Sequence, residues 1–108
     1  MTSVNENSSS NSNKNLRYRI SGWDDEKLDL KQKLLRGIYA FGFEKPSSIQ
    51  SEALYPMTFT PPTDIIAQAQ SGTGKTGAFV TGTLQIVDET INVTQAVILA
   101  PTHELANQ

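Results

Sequence analysis

The chain contains no cysteine, which removes disulfides, thiolate metal sites and cysteine nucleophiles from consideration. A cytosolic or nuclear setting is the expectation for such a composition. It has a single histidine, His103, in a short polar stretch, where it reads as a bystander rather than a ligand or base. Zinc spacing, a Ser-His-Asp set and internal repeats are absent from the sequence. The longest uninterrupted apolar run, Ala96 to Ala100, is five residues and cannot cross a bilayer, so no membrane partner is expected. The opening segment lacks the apolar core of a secretory signal. The acceptor tripeptides Asn7-Ser8-Ser9 and Asn92-Val93-Thr94 are accordingly read as chance matches. Basic charge is scarce in the second half. From Pro46 onward Lys75 is the only Lys or Arg, against five acids, and the net charge is −2. The balance argues against bulk electrostatic capture of nucleic acid, so any grip on it must be local and geometric or come from parts outside these residues.

At 108 residues the chain allows at most one ordinary domain. Residues 1–15 hold five Ser and five Asn and almost nothing apolar. Such a segment buries too little surface to offset its ordering entropy, so it is expected to be a disordered tail. Residues 16–108 remain as one folded unit.

Within that unit the most informative stretch is Ala69 to Thr76, A-Q-S-G-T-G-K-T. It follows an apolar run, Ile65-Ile66-Ala67, and precedes a helix-like pattern. Strand, glycine-rich turn, Lys-Thr and helix is the context of a phosphate-binding P-loop. Gly72 and Gly74 let the backbone curl so that several N–H groups face one anion. Lys75 supplies a point charge for the β and γ phosphates, and Thr76 offers a hydroxyl to Mg²⁺. The helix that follows starts at the anion and adds its dipole. The plain alternative is a glycine-rich turn capping a helix, with Lys75 a solvated surface charge.

Leu28, Leu30, Leu34, Leu35 and Ile38 form an approximate helical stripe that Gly42 stops. Its polar face, Lys31, Gln32, Lys33 and Arg36, reads as solvation rather than RNA contact. Pro46 ends an extended stretch. Ser47 is placed to cap a second helix running towards Leu54, with Gln50 at the reciprocal position of a capping box. The Gln50 amide has a donor and an acceptor, so it also fits the edge of an adenine. Tyr55 to Thr63 holds three prolines and reads as a loop. Thr63 to Gln68 and Gln95 to Ala100 read as two buried parallel strands. Phe79, Val80, Leu84 and Val87 fall on one face of the intervening helix, which is taken as core. Thr102 is placed to cap a third helix, with Glu104 in its first turn. The expected fold is α/β: a right-handed βαβ unit in a parallel sheet flanked by helices, with ligands at the carboxyl ends of the strands.

Three stretches together resemble the DEAD-box RNA helicases. G-F-E-K-P-S-S-I-Q, Gly42 to Gln50, is similar to that family's Q motif. Ala69 to Thr76 is similar to its motif I, and P-T-H-E-L-A, Pro101 to Ala106, to its motif Ia. Leu34 to Ala40 and Ile66 to Thr76 narrow the likeness to the translation-initiation branch and its close paralogues. The resemblance spans about Trp23 to Gln108. It implies that residues 16–108 are the N-terminal part of a first RecA-like helicase domain. It also implies that Phe43, Lys45 and Gln50 surround adenine, with Gln50 selecting ATP. Ala69, Gln70, Ser71, Gly72, Thr73, Gly74, Lys75 and Thr76 would then hold the phosphates, with Lys75 and Thr76 serving catalysis and Thr76 serving Mg²⁺. Pro101, Thr102 and Glu104 would lie along an RNA backbone. ATP and Mg²⁺ are the implied cofactors. RNA and translation-initiation scaffold proteins are the implied partners, in the cytoplasm.

Departures from the family pattern qualify this. His103 stands where the family has Arg. Trp23 stands where it has an upstream aromatic, usually Phe, with two extra residues before the Q motif. Met57 to Thr63 lacks the family's Lys-Gly-x-Asp turn. The D-E-A-D and S-A-T segments, the arginine fingers and the second domain lie outside these 108 residues, so the chain alone is expected to hold phosphate without hydrolysing ATP. Two other readings stay open: a different P-loop enzyme such as a nucleotide kinase, and a non-enzymatic adaptor that competes for a helicase's partners.

Overall fold

A computed structural model describes residues 2–5, 16–61 and 63–108. In chain order the elements are β1 (Thr2–Asn5), a 3-10 turn (Leu16–Tyr18), α1 (Gln32–Phe41), α2 (Ser48–Met57), β2 (Ile65–Gln68), α3 (Lys75–Ile86) and α4 (His103–Asn107). The fold is α/β, with a two-stranded parallel sheet and flanking helices.

Helix α1 forms where the leucine stripe predicts and ends at Gly42, whose φ of 104° only glycine adopts readily. There the Gly42 N–H donates to the Tyr39 carbonyl at 3.1 Å and the Phe43 N–H to that of Ile38 at 3.2 Å. This paired termination satisfies the last carbonyls and sets the direction in which Phe43 leaves the helix.

Helix α2 is the central beam. Its Leu54 packs in one apolar cluster with Ile20, Trp23, Leu28 and Ile38, which Leu30, Leu34, Leu35 and Tyr55 border. Its Ile49 and Ala53 pack in a second cluster with Val4 of β1, bordered by Ala69. Contrary to the expected loop from Tyr55, the helix continues through Pro56 to Met57. Proline removes one backbone donor, which in the last turn of a helix would have served the carbonyl four residues back. The Pro56 ring is buried, and the Thr58 N–H and hydroxyl both donate to the Tyr55 carbonyl, at 3.0 and 2.8 Å. Burial outweighs the missing bond.

Two sequence expectations about the sheet are corrected. The partner of β2 is β1, in parallel register from Thr2 opposite Ile65 to Asn5 opposite Gln68. Residues 2–5 of the expected disordered tail are therefore a strand; the remainder of that tail lies outside the described residues. Gln95 to Ala100 forms no strand, and Val97 and Leu99 are 77% and 91% exposed. A strand exists only with a hydrogen-bonded neighbour, and among the described residues β1 is the strand beside β2, so the βαβ crossover is not formed. Nor is β2 buried on both faces, since Ile66 is exposed.

The core face of α3 is a third correction. Phe79, Val80 and Leu84 are exposed, whereas Ala78, Thr81 and Gly82 are buried. The cause is close approach to α2. A Cβ on Gly82 would stand 2.6 Å from Met57 Cε, and one on Gly77 would stand 2.7 Å from Gln50 Nε2. Only small residues fit against α2, so the large ones turn outward.

Candidate functional site

The glycine-rich turn links β2 to α3, and two of its residues have left-handed backbone: Gly72 at φ 79° and Gly74 at φ 99°. Gly74 begins α3 without any side-chain cap. The first N–H groups of a helix have no intrahelical acceptor, so this end presents donors and a positive dipole to an anion. Thr73 Oγ1 donates to the Gln70 carbonyl at 2.6 Å, and Lys75 Nζ donates to the Ala69 carbonyl at 2.5 Å. The ammonium thus reaches back across the mouth of the loop. Ser71, Gly72 and Lys75 are exposed and Thr76 is half-buried in the first turn of α3. Among the described residues no group of three or more His, Asp or Glu could hold a metal, so a cation here would depend on the Thr76 hydroxyl and on oxygens of a bound phosphate.

Gln50 ties the second half of the site to this loop. Its capping box is formed: Ser47 Oγ accepts from the Gln50 N–H at 3.4 Å, and Gln50 Oε1 accepts from the Ser47 N–H at 2.8 Å. The remaining end of the amide, Nε2, donates to the Gly74 carbonyl at 3.1 Å. Capping and a contact at the glycine-rich loop are therefore carried out together by one side chain that is 3% exposed. Gly74 is doubly required. Besides its φ, a Cβ there would lie 2.7 Å from Gln50 Nε2 and 3.0 Å from Ser47 Oγ.

Phe43 joins the same constellation. Its ring packs 6.1 Å from that of Trp23 and 5.2 Å from that of Phe41, and its Cζ lies 3.8 Å from where a Gly77 Cβ would be. Trp23 is buried, and its indole N–H has no hydrogen-bond partner among the described residues. A phenylalanine would fill that place without orphaning a donor. Lys45 is exposed on the segment between α1 and α2.

Of the residues singled out in the sequence, Phe43, Gln50 and Ala69–Thr76 converge. Pro101, Thr102 and Glu104 stand outside this polar network. Thr102 Oγ1 caps α4 by accepting from the Leu105 N–H at 3.2 Å, and all three are exposed, as is His103. Sequence reasoning missed Gly77. Its signal was available: a glycine inside a helix costs roughly 1 kcal/mol relative to alanine, so its presence asks for a close neighbour, here Gln50.

Comparison with known proteins shows the family. A family model described as DEAD/DEAH box helicase matches residues 47–108. A protein named "Probable eukaryotic initiation factor 4A" from Trypanosoma brucei brucei is 61% identical over 89 residues, covering 82% of this chain and 21% of its own length. The protein named "ATP-dependent RNA helicase eIF4A" from Chaetomium globosum is 54% identical over the same shares of the two chains. Among solved structures, a variant of S. cerevisiae Dbp5 bound to Gle1 and IP6 superposes with a TM-score of 0.76 at 46% identity, covering 82% of this chain and 22% of that one. The same yeast protein bound to RNA and ADP BeF3 gives 0.72 at 49% identity, covering 76% and 21%. The chain thus spans about a fifth of the length of the relatives it matches.

Proposed function

The chain belongs to the DEAD/DEAH box helicase family, and from that premise we propose that it is the nucleotide-gripping N-terminal part of an ATP-dependent RNA helicase that acts in translation initiation. The observation that carries this reading is the Gln50 amide, shared between the α2 cap and Gly74, which brings the base-side segment Phe43–Gln50 against the phosphate loop. In this reading Phe43, Lys45 and Gln50 surround adenine, and Gln50 selects ATP by exchanging one of its present partners for the base edge. Ala69 to Thr76 wrap the phosphates. The Lys75 ammonium leaves the Ala69 carbonyl for the β and γ oxygens. The Thr76 hydroxyl would hold Mg²⁺, which supplies charge neutralisation to the phosphates when bound. Pro101, Thr102 and Glu104 lie along the sugar–phosphate chain of RNA, a contact that must be local because the chain's net charge of −2 gives no bulk attraction to phosphate. Support for RNA comes from the family and from the yeast relative solved with RNA. Initiation scaffold proteins as partners and a cytoplasmic setting belong to the same proposal, on the initiation-factor names of the relatives.

Hydrolysis needs groups that position water and stabilise charge at the γ-phosphate, and the described site offers donors without an evident general base. Calorimetry with Mg-ATP on the purified chain tests the reading. Binding weaker for GTP than for ATP, and reduced about 10- to 100-fold by Lys75→Ala, is expected from the loss of one charge-assisted contact. Equal affinity for GTP would defeat it, whereas RNA-stimulated phosphate release by the 108-residue chain, abolished by Lys75→Ala, would overturn the expectation that this stretch holds ATP without hydrolysing it.

A further inference from the structure

Far from the phosphate loop, the C-terminal end of α3 is bound to the start of α1 by a compact set of polar contacts. Gln85 uses both ends of its amide: Oε1 accepts from the Lys31 N–H at 2.9 Å, and Nε2 donates to the Asp29 carbonyl at 3.0 Å. Lys31 answers from the other side, its ammonium donating to the Leu84 carbonyl at 3.3 Å and also to that of Val87. The Leu84 carbonyl is one that the helix leaves without a partner at its end, Val87 lies just past it, and a cation there also meets the negative end of the dipole. Lys33 adds an exposed ion pair to Glu89 at 3.0 Å, a minor contribution at such exposure.

The placement of this clamp gives it a consequence at the site. The start of α1 meets the end of α3, and the residue just beyond α1, Phe43, meets Gly77 in the first turn of α3. The two helices therefore run antiparallel, hydrogen-bonded at the start of α1 and in van der Waals approach at its exit. One helix carries the base-side residues Phe43 and Lys45 at its exit, and the other carries Gly74–Thr76 at its entry. At 1.5 Å per residue, the clamp acts across helices about 15 and 18 Å long. Phosphate contacts come from α3 and its own loop, whereas base contacts also depend on where α1 lies beside α3.

We propose that Gln85, held by Asp29 and Lys31, is a positioning residue for base recognition: it sets the lie of α1 along α3 and so the place of Phe43 and Lys45 beside the phosphate loop. This rests on the assignment of adenine to Phe43, Lys45 and Gln50. Losing the amide separates the two halves of nucleotide binding, weakening the grip on the base and leaving the grip on phosphate as it was.

The experiment compares ATP with inorganic tripolyphosphate, both with Mg²⁺, on the full chain and on Gln85→Met, which keeps length and helix propensity but neither hydrogen bond. The expected result is ATP binding about tenfold weaker, the scale of two net hydrogen bonds, with tripolyphosphate binding unchanged within twofold. Gln85→Glu, which retains the acceptor for the Lys31 N–H and loses the donor to Asp29, is expected to fall between the two and decides the matter should Gln85→Met not fold. Equal loss for both ligands would show general loosening and overturn the proposal, as would an unchanged preference for ATP. Where the unmodified chain itself binds ATP no better than tripolyphosphate, the base-site assignment falls and takes this inference with it. A normal ATP preference lost on Phe43→Ala but kept in Gln85→Met sinks this inference alone.

Discussion

Single side chains here hold turns more than they hold helices, and Asp25 shows how. Its carboxylate accepts from the Ser21 N–H at 2.9 Å, from the Ser21 hydroxyl at 3.1 Å and from the Lys27 N–H at 2.9 Å. Hydrogen bonds from Ser21 and Lys27 favour the ionised form and draw its pKa below the usual 3.8. A carboxyl whose pKa is lowered by folding adds stability that is present above its unfolded value and lost as pH falls through its folded one. The turn it closes carries Trp23, the only tryptophan. Acidification from pH 5 to below 3.8 is therefore expected to remove this contribution, read as a lower urea midpoint by tryptophan emission, and Asp25→Asn is expected to flatten that part of the pH dependence. An acid transition identical in both proteins would refute this role. Asp25 gave no motif signal, because its partners are backbone groups that only the folded turn brings within reach. Gln50 was half legible: its spacing from Ser47 spelled the cap, but not that its second amide end would reach Gly74, 24 residues on.

At the level of elements, local rules predicted well where a helix carries its own stop or start. Gly42 ends α1 and Ser47 begins α2 as read, because cap chemistry is satisfied within four residues of chain. The same locality makes a prediction. Ser47→Ala should cost roughly 1 kcal/mol of stability, the usual value of a lost N-cap, measurable by urea denaturation. A cost near zero would mean that the Gln50 side chain alone closes the helix start. Local rules failed for α3. Periodicity took its bulky residues for the core, but the buried face was chosen by how near α2 comes, and the neighbours of Gly77, Ala78, Thr81 and Gly82 are distant in sequence. Pro56 misled for a related reason, since its ring found a buried place at the end of α2.

Across the described residues, two apolar clusters meet along α2, while the apolar run Ala96–Ala100 lies exposed with no strand beside it among those residues. Exposed apolar segments of high β propensity without a ladder partner are templates for association. Leu99→Lys is expected to reduce concentration-dependent light scattering while shifting unfolding stability by less than about 0.5 kcal/mol, as surface changes do. Undiminished scattering would place the sticky surface elsewhere. The glycine-rich turn between β2 and α3, the caps of α1, α2 and α4, and the family were all legible in the order of residues alone, since turn and cap chemistry is satisfied within a few positions of chain. The pairing of β1 with β2, the face α3 buries, and the link from Gln85 to Asp29 and Lys31 were decided only in three dimensions. Strand partners and helix faces are settled by competition among surfaces remote in sequence, and no local pattern records which of them wins.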